Sequence, residues 1–374
     1  MIYLDNAATS YPKPAPVRRA IADALVRYGG NPGRGGHRLS LRAAELVYEC
    51  RSELCRFLGA DEPESVIFTS GATMALNLAI LTRVRRGMHV LISDREHNSV
   101  LRPILRLADE GIIKYEVYPT SGDVVAAIRE RLRPETGLLV ACHVSNVTGY
   151  TLPLGEIGAL CRLFGVYFVV DAAQSVGHLP LSLADISCDA FCAPAHKGLL
   201  GAAGAGFVIL RSADGLRPFL MGGSGVDSLS PQMPDVLPER YEAGTLPTPA
   251  IAALLAGVRY LEGYGVERVA AEESAIRRRI LEGLSVTRGI TLYEPECDGG
   301  LIAFTHSTLS PERLARRLDE RGVAIRAGYH CAPLAHQTIG TPPGGCVRIS
   351  VGVGNRPEEA EKCLLALREA LKEP

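Results

Sequence analysis

Three segments of the chain place reactive side chains where an α/β sheet presents its ligands. The segment 191-FCAPAHKGLLGAAGAGFVIL-210 sets His196 and Lys197 between two strand-like runs, among apolar and small residues. A lysine drawn out of water loses its preference for the charged form, and its free amine can form a Schiff base with a carbonyl. The segment 168-FVVDAAQSVGH-178 puts Asp171 just past a buried strand. Ligands of open α/β sheets bind at that edge, and a carboxylate there must find partners. The segment 67-IFTSGATMALNLAI-80 runs strand, small-residue turn, helix, so the backbone N–H groups near Ala72 and Thr73 form a ready anion site. Taken singly, each has a plainer reading: a surface lysine on a turn, a carboxylate capping a loop, an ordinary βα turn. Taken together they meet the needs of pyridoxal 5'-phosphate, which requires a lysine for its aldehyde, a carboxylate near its pyridine nitrogen and an anion cradle. The glycines of 201-GAAGAG-206 do not form a dinucleotide loop, because they lead into a strand instead of opening a helix.

A fourth segment carries a thiol. Of the ten cysteines, several sit in apolar runs, where free Cys behaves as a small hydrophobe. Cys331 differs: 328-GYHCAPL-334 surrounds it with Gly, Tyr, His, Ala and Pro. A thiolate is the strongest nucleophile among ordinary side chains, and Arg326 and His330 would supply a favourable positive field if they fold against it.

These residues need a scaffold, and the hydrophobic pattern describes one. Short runs that are apolar on consecutive positions, 66–69, 89–92, 138–144, 166–170 and 207–210, read as strands covered on both faces. Helical segments near 40–58, 73–86, 99–110, 123–133 and 153–164 alternate with them, which predicts a mainly parallel sheet with helices on both sides. After about residue 250 the pattern changes. Helices over 248–263 and 266–284 are followed by strands near 301–305, 323–326 and 346–351, a helix over 311–321 and a last helix from 356. Ser310-Pro311-Glu312 reads as an N-cap with Pro in the first helical position, and Asn355 with Glu358 as a capping box.

Composition sets limits on the rest. With 374 residues, the chain exceeds what one hydrophobic core holds, and two domains are expected. A formal net charge of -1 leaves no electrostatic footprint for nucleic acid or an anionic membrane. No apolar run reaches the roughly 18 residues a membrane helix needs, and the N-terminus lacks the pattern of a signal peptide. Scattered cysteines without such a signal predict a reduced, cytoplasmic protein, and the lack of any C-x-x-C pair argues against zinc or another metal.

The ordered motifs 3-YLDNAAT-9, 35-GGHRLS-40, 96-EHNS-99, 144-VSNVTG-149, 170-VDAAQ-174, 196-HK-197, 240-RYEAGT-245, 326-RAGYHCAPL-334 and 346-CVRISVGVGN-355 span nearly the whole chain. In them the chain resembles the cysteine desulfurase/selenocysteine lyase family of class V aminotransferase-like enzymes, nearer its short-loop group II. The resemblance implies pyridoxal-phosphate fold type I: a large domain (15–250) on a seven-stranded sheet, and a smaller α+β domain (1–14 and 251–374) carrying the cysteine loop. It also implies roles. Lys197 would be the Schiff-base lysine, Asp171 the partner of the pyridine nitrogen and His97 the ring-stacking histidine. Asn146 and Gln174 would lie around the ring and its hydroxyl, and the Ala72 backbone, Thr73 and His196 would bind phosphate. Thr245 would reach the phosphate from a second subunit of a homodimer. Arg348, with Arg326 and Asn146, would bind the substrate carboxylate, and Cys331 would be the nucleophile. The implied activity is conversion of L-cysteine to L-alanine, with a persulfide on Cys331 for a sulfur-acceptor protein. Selenocysteine lyase, a related C–S lyase, a class V aminotransferase and a non-catalytic relic are the competing readings. Two positions depart from the family: Pro194 stands where a Ser or Thr usually helps bind phosphate, with Ala195 after it, and Met74 stands where relatives often have an acidic residue.

Overall fold

The computed structural model describes all residues except Arg34, Asp298, Glu373 and Pro374. Its central sheet has seven strands in the spatial order Val66–Thr69, Gly206–Leu210, Ala190–Pro194, Tyr167–Asp171, Thr136–Cys142, Met88–Ser93 and Ile113–Tyr118. Only Gly206–Leu210 runs against its neighbours. The consecutive apolar runs become strands here because both faces are covered. Phe68, Leu91, Leu139, Phe168, Phe191 and Phe207 enter a core beneath the helices Arg38–Leu58, Leu154–Phe164 and Thr248–Tyr264. Their neighbours Ile67, Val90, Leu138, Val169 and Val208 enter a second core beneath Ala72–Arg83 and Asn98–Asp109. This is the two-residue period of a strand read by two different cores. Ile113–Tyr118 is the strand with no apolar run to announce it: at the sheet edge Lys114 and Tyr115 stay exposed.

A four-stranded antiparallel sheet, ordered Arg326–Gly328, Cys346–Ser350, Leu301–His306 and Ile290–Tyr293, forms the smaller unit. Its core takes side chains from Val266–Ser285, Pro311–Asp319 and Pro357–Lys372. Ile2–Tyr3 pairs in parallel with Val323–Ala324, tying the N-terminus to this unit. The expected strand over 323–326 is therefore two short strands in two sheets. The helix Thr248–Tyr264 packs with the large sheet through Ile251, Leu254 and Leu261.

Local signals behave as chemistry dictates, with one displacement. Ser310 accepts a hydrogen bond from Arg313 N, and Pro311 opens the helix. The capping box expected from Asn355 and Glu358 is shifted by one residue. Glu359 Oε2 accepts from Arg356 N at 3.0 Å, while Asn355 Oδ1 accepts from Gly352 N and Asn6 Nδ2. Asn355 is occupied with the N-terminal segment, so the helix starts at Pro357. Among the described residues no helix is long and apolar enough to cross a membrane.

Candidate active site

Six of the seven strands are parallel, so their carboxyl ends share one edge, and the loops leaving that edge build a cavity. Its empty space is about 1030 Å³, open to solvent. Ala72, Thr73, His97, Asn146, Asp171, Gln174, His196, Lys197, Arg326 and Arg348 all line it. Ten of the twelve expected site residues thus meet in one place, although they are drawn from positions 72 to 348.

Burial sets the charges. Lys197 is half-buried because it borders the open cavity, yet protein crowds its amine enough to push it down to about 8, with Asp171 pulling the other way. Asp171 is buried, and its Oδ1 accepts from Ala173 N at 2.9 Å. Burial raises its carboxyl, opposed by that N–H and by Lys197. His97 is pushed down to about 4 by burial and by the Lys197 and Arg326 charges, so it is neutral. Its Nδ1 accepts from Ser99 N at 3.1 Å, capping the helix Asn98–Asp109, which leaves the ring proton on Nε2. His196 is likewise held neutral, near 4, by burial and by Lys197.

The anion end is legible in hydrogen bonds. No side chain caps the helix Ala72–Arg83, so its first N–H groups stay available. Thr73 Oγ1 lies 2.8 Å from Ser99 Oγ, which also meets His97 Nδ1 at 2.9 Å. Pro194 lines the cavity and offers no donor there, whereas Ala195 belongs to the core.

At the other end, Arg348 is buried, with Nη2 on Asp5 Oδ1 and Nη1 on the Asn146 carbonyl, both at 2.8 Å. Among the described residues its Nε has no partner, and neither has Asn146 Oδ1. Arg326 pairs with Arg348 across the two strands and has no ion-pair partner among the described residues. It is the arginine with its charge unspent. The Asn146 amide holds the carbonyl of His330 at 2.7 Å, and Gln174 Nε2 holds that of Ala7 at 3.0 Å.

Cys331 lies beside this cavity, not in it. It faces an adjoining groove with Thr73, His97, Ser99 and Arg102. All ten cysteines are free, and Cys331 is the exposed one among them. His330 and Cys331 both have left-handed backbone, with φ of 48° and 59°. Each costs about 1–2 kcal/mol for a residue with a Cβ. The turn is held by Asn98 N donating to the Cys331 carbonyl at 2.7 Å and by the Asn146 contact. The positive field expected from His330 is absent, since burial pushes its pKa down to about 2 and leaves it neutral. Thr245 is the other outlier. It is exposed, accepts from Asn31 Nδ2 at 3.2 Å and does not line the cavity of its own chain.

The structure adds residues that no motif assigned. The carbonyl of His196, next to Lys197, accepts from Lys13 Nζ at 2.7 Å, Thr9 Oγ1 at 3.0 Å and Ser10 N at 3.1 Å. Ser10 Oγ donates to the Lys197 carbonyl at 2.9 Å. Glu96 is fully buried, accepts from Ser93 Oγ and Cys142 N, and is raised to about 8 by burial, so it holds its proton at neutral pH. A lysine flanked by Pro12 and Pro14 carries no local sign of such a role, and a glutamate beside Arg95 reads as surface charge.

The donor set suits pyridoxal phosphate. It combines a lysine with a lowered pKa beside a buried carboxylate, an uncapped helix start with a hydroxyl, and two unpartnered polar atoms, Asn146 Oδ1 and Arg348 Nε.

Comparison with known proteins gives one consistent picture. The family model described as Aminotransferase class-V matches residues 2–363. A probable cysteine desulfurase of Methanothermobacter thermautotrophicus is 32% identical over 370 residues, covering 96% of this chain and 92% of that protein. A cysteine desulfurase of Haloferax volcanii is 31% identical, covering 99% and 89%. Among solved structures, the apo cysteine desulfurase of Thermococcus onnurineus superposes with a TM-score of 0.91 at 32% identity, covering 99% of this chain and 94% of that one. The Escherichia coli cysteine desulfurase CsdA, in its S-sulfonic acid form, gives 0.89 at 25% identity, with coverages of 99% and 94%.

Proposed function

The chain belongs to the class V aminotransferase family, and from that footing we propose that it is a pyridoxal phosphate-dependent cysteine desulfurase, converting L-cysteine to L-alanine with Cys331 as the sulfur acceptor. The observation that carries this reading is the pairing of two unlike nucleophiles. The Lys197 amine, lowered to about 8, borders the cavity, and the exposed thiol faces the adjoining groove, which shares Thr73, His97 and Ser99 with that cavity. Transamination has no use for the second.

When bound, pyridoxal phosphate supplies an aldehyde for an amine and a ring that takes up electrons from the substrate carbon. Ala72 N–H, Thr73 and His196 would hold its phosphate, Asp171 the proton on its ring nitrogen, and His97, Asn146 and Gln174 its ring and hydroxyl. Arg326, with the Nε edge of Arg348, would orient the carboxylate of L-cysteine. Lys197 Nζ, once free and neutral, takes the α-proton and returns it. The Cys331 thiolate attacks the substrate sulfur: an S–S bond forms, the C–S bond breaks, and the carbon left behind is protonated to give alanine. The persulfide sulfur then passes to an acceptor, for which the exposed position of Cys331 is suited. Thr245 would complete the phosphate site of a second copy, making the enzyme a homodimer. Ten unpaired cysteines suit a reducing cytoplasm.

The test is to add L-cysteine to the protein and measure alanine, sulfide and intact mass together. Equal alanine and sulfide, with one extra sulfur on Cys331 before reductant is added, is the expected result. Amino transfer to a keto acid without sulfide would overturn the proposal. Parallel kcat/KM values for L-cysteine and L-selenocysteine set the preference between sulfur and selenium.

A further inference from the structure

Behind the Cys331 loop lie three side chains that the chemistry above leaves unused. His330, His336 and Cys346 are all buried, and one potential ligand atom of each lies within 4.8 Å of the others. The loop contributes His330, the short helix Pro333–Thr338 contributes His336, and Cys346 opens the strand Cys346–Ser350. Cys346 Sγ stands 3.6 Å from His330 Nε2. A tetrahedral zinc, with Zn–S of about 2.3 Å and Zn–N of about 2.0 Å, holds a sulfur and a nitrogen ligand about 3.6 Å apart. His336 is oriented as metal-bound histidines are: Nδ1 lies 2.9 Å from Thr341 Oγ1, and Nε2 is a buried ring nitrogen without a partner.

We propose that His330, His336 and Cys346 form a site for a thiophilic cation such as Zn2+, set behind the cysteine loop. The Nε2 lone pair of His330 goes to the ion, so its 3.2 Å bond to the Cys346 carbonyl is given up and its proton moves to Nδ1, a buried nitrogen without a partner among the described residues. The Cys346 thiol, which burial pushes up to about 12, gives up its proton only in exchange for the ion, and the fourth position is left to water. Burial already keeps both histidines neutral, so neither has a proton to lose overall. The sequence argued against zinc because no C-x-x-C pair occurs, but this set is mixed His and Cys, spread from 330 to 346, and only the fold assembles it. An ion here ties the residue preceding Cys331 to the strand that carries Arg348, and so stiffens the loop. The site stands independently of which amino acid the enzyme cleaves.

The test uses reduced holoenzyme carrying Cys331→Ser, which removes the exposed thiol as a competing ligand. It is dialysed against graded Zn2+ alone and the bound metal is counted. One ion per chain is expected. Cys346→Ser or His336→Gln in that background should weaken binding by about 100-fold, and Thr341→Val by about 10-fold through loss of ring orientation. No stoichiometric uptake, or uptake that Cys346→Ser and His336→Gln leave unchanged, overturns the site. If those variants fail to fold, Thr341→Val decides, since unchanged affinity there removes the orienting contact on which the geometry rests.

Discussion

Lys197 and Cys331 are the two nucleophiles of the proposed reaction, and the fold treats them in opposite ways. The lysine follows a central strand, and its own carbonyl and the one before it are fixed by Ser10, Thr9 and Lys13. The cysteine sits on a surface loop with two left-handed residues in succession, anchored at two carbonyls. Proton transfer needs an amine whose hold on its proton is weakened and whose position is fixed, which burial and a rigid sheet edge supply. Handing sulfur to another molecule needs a thiol that can be reached, which a buried thiol cannot be. The other cysteines show the contrast: burial pushes Cys55 up to about 11 and Cys188 and Cys363 up to about 12.

The contrast can be broken by removing each nucleophile in turn. Lys197→Ala should lower kcat for alanine formation by roughly 10³-fold or more and abolish the visible absorption of the bound cofactor. Cys331→Ala should retain that absorption and its change on adding L-cysteine, while sulfide release falls by about 100-fold. If the two variants lose absorption and activity alike, the division of labour is wrong. The lysine also carries a pH signature. Its amine is free only once substrate is bound and acts as a base only when unprotonated, so kcat should rise about tenfold per pH unit up to about 8 and then level off. A profile flat between about pH 6 and 9 would detach Lys197 from the proton transfer.

How far the sequence announced each half follows the same divide. The strand ends carrying Asp171 and Lys197 were legible because strands covered on both faces leave consecutive apolar runs. Arg326–Gly328 left no run, being three half-buried residues at a sheet edge. Asp5 meets Arg348 across the whole length of the chain, and no periodicity reports such a contact. Glu96 and Lys13 were hidden for another reason. Charge reads as solvent exposure until a fold supplies the partners that let it be buried. Thr245, exposed in the single chain, is the residue whose reading depends on a second copy.

A smaller effect probes the rigidity of the lysine side. Lys13 Nζ donates to the carbonyl next to Lys197 and to Ser10 Oγ at 2.6 Å. A hydrogen bond from a charged donor contributes about 1.5–3 kcal/mol. Lys13→Met keeps the bulk and loses both bonds, so kcat should drop by about 10-fold. Iodoacetamide should alkylate Cys331 at an unchanged rate, because the strap does not touch the loop. A matching fall in alkylation would mean that the two regions are mechanically one.

The smallest expected effect is a gain, and it sharpens the comparison by staying on one side of it. Pro194 ends the strand Ala190–Pro194 and lines the cavity with no N–H and no hydroxyl to offer an anion. In the proposed site the uncapped helix start, Thr73 and the neutral His196 would carry the phosphate without it. Pro194→Ser returns one hydroxyl donor to that wall. It also frees the unfolded backbone, which costs about 0.4–1 kcal/mol of stability. One added bond to a phosphate, at about 1.5 kcal/mol, corresponds to roughly tenfold slower loss of cofactor on dilution. The melting temperature of the cofactor-free protein should fall slightly, while Cys331 alkylation and sulfide release at saturating cofactor stay as they were. Unchanged cofactor retention would mean that the phosphate end is already saturated with donors, and that the proline costs the site nothing.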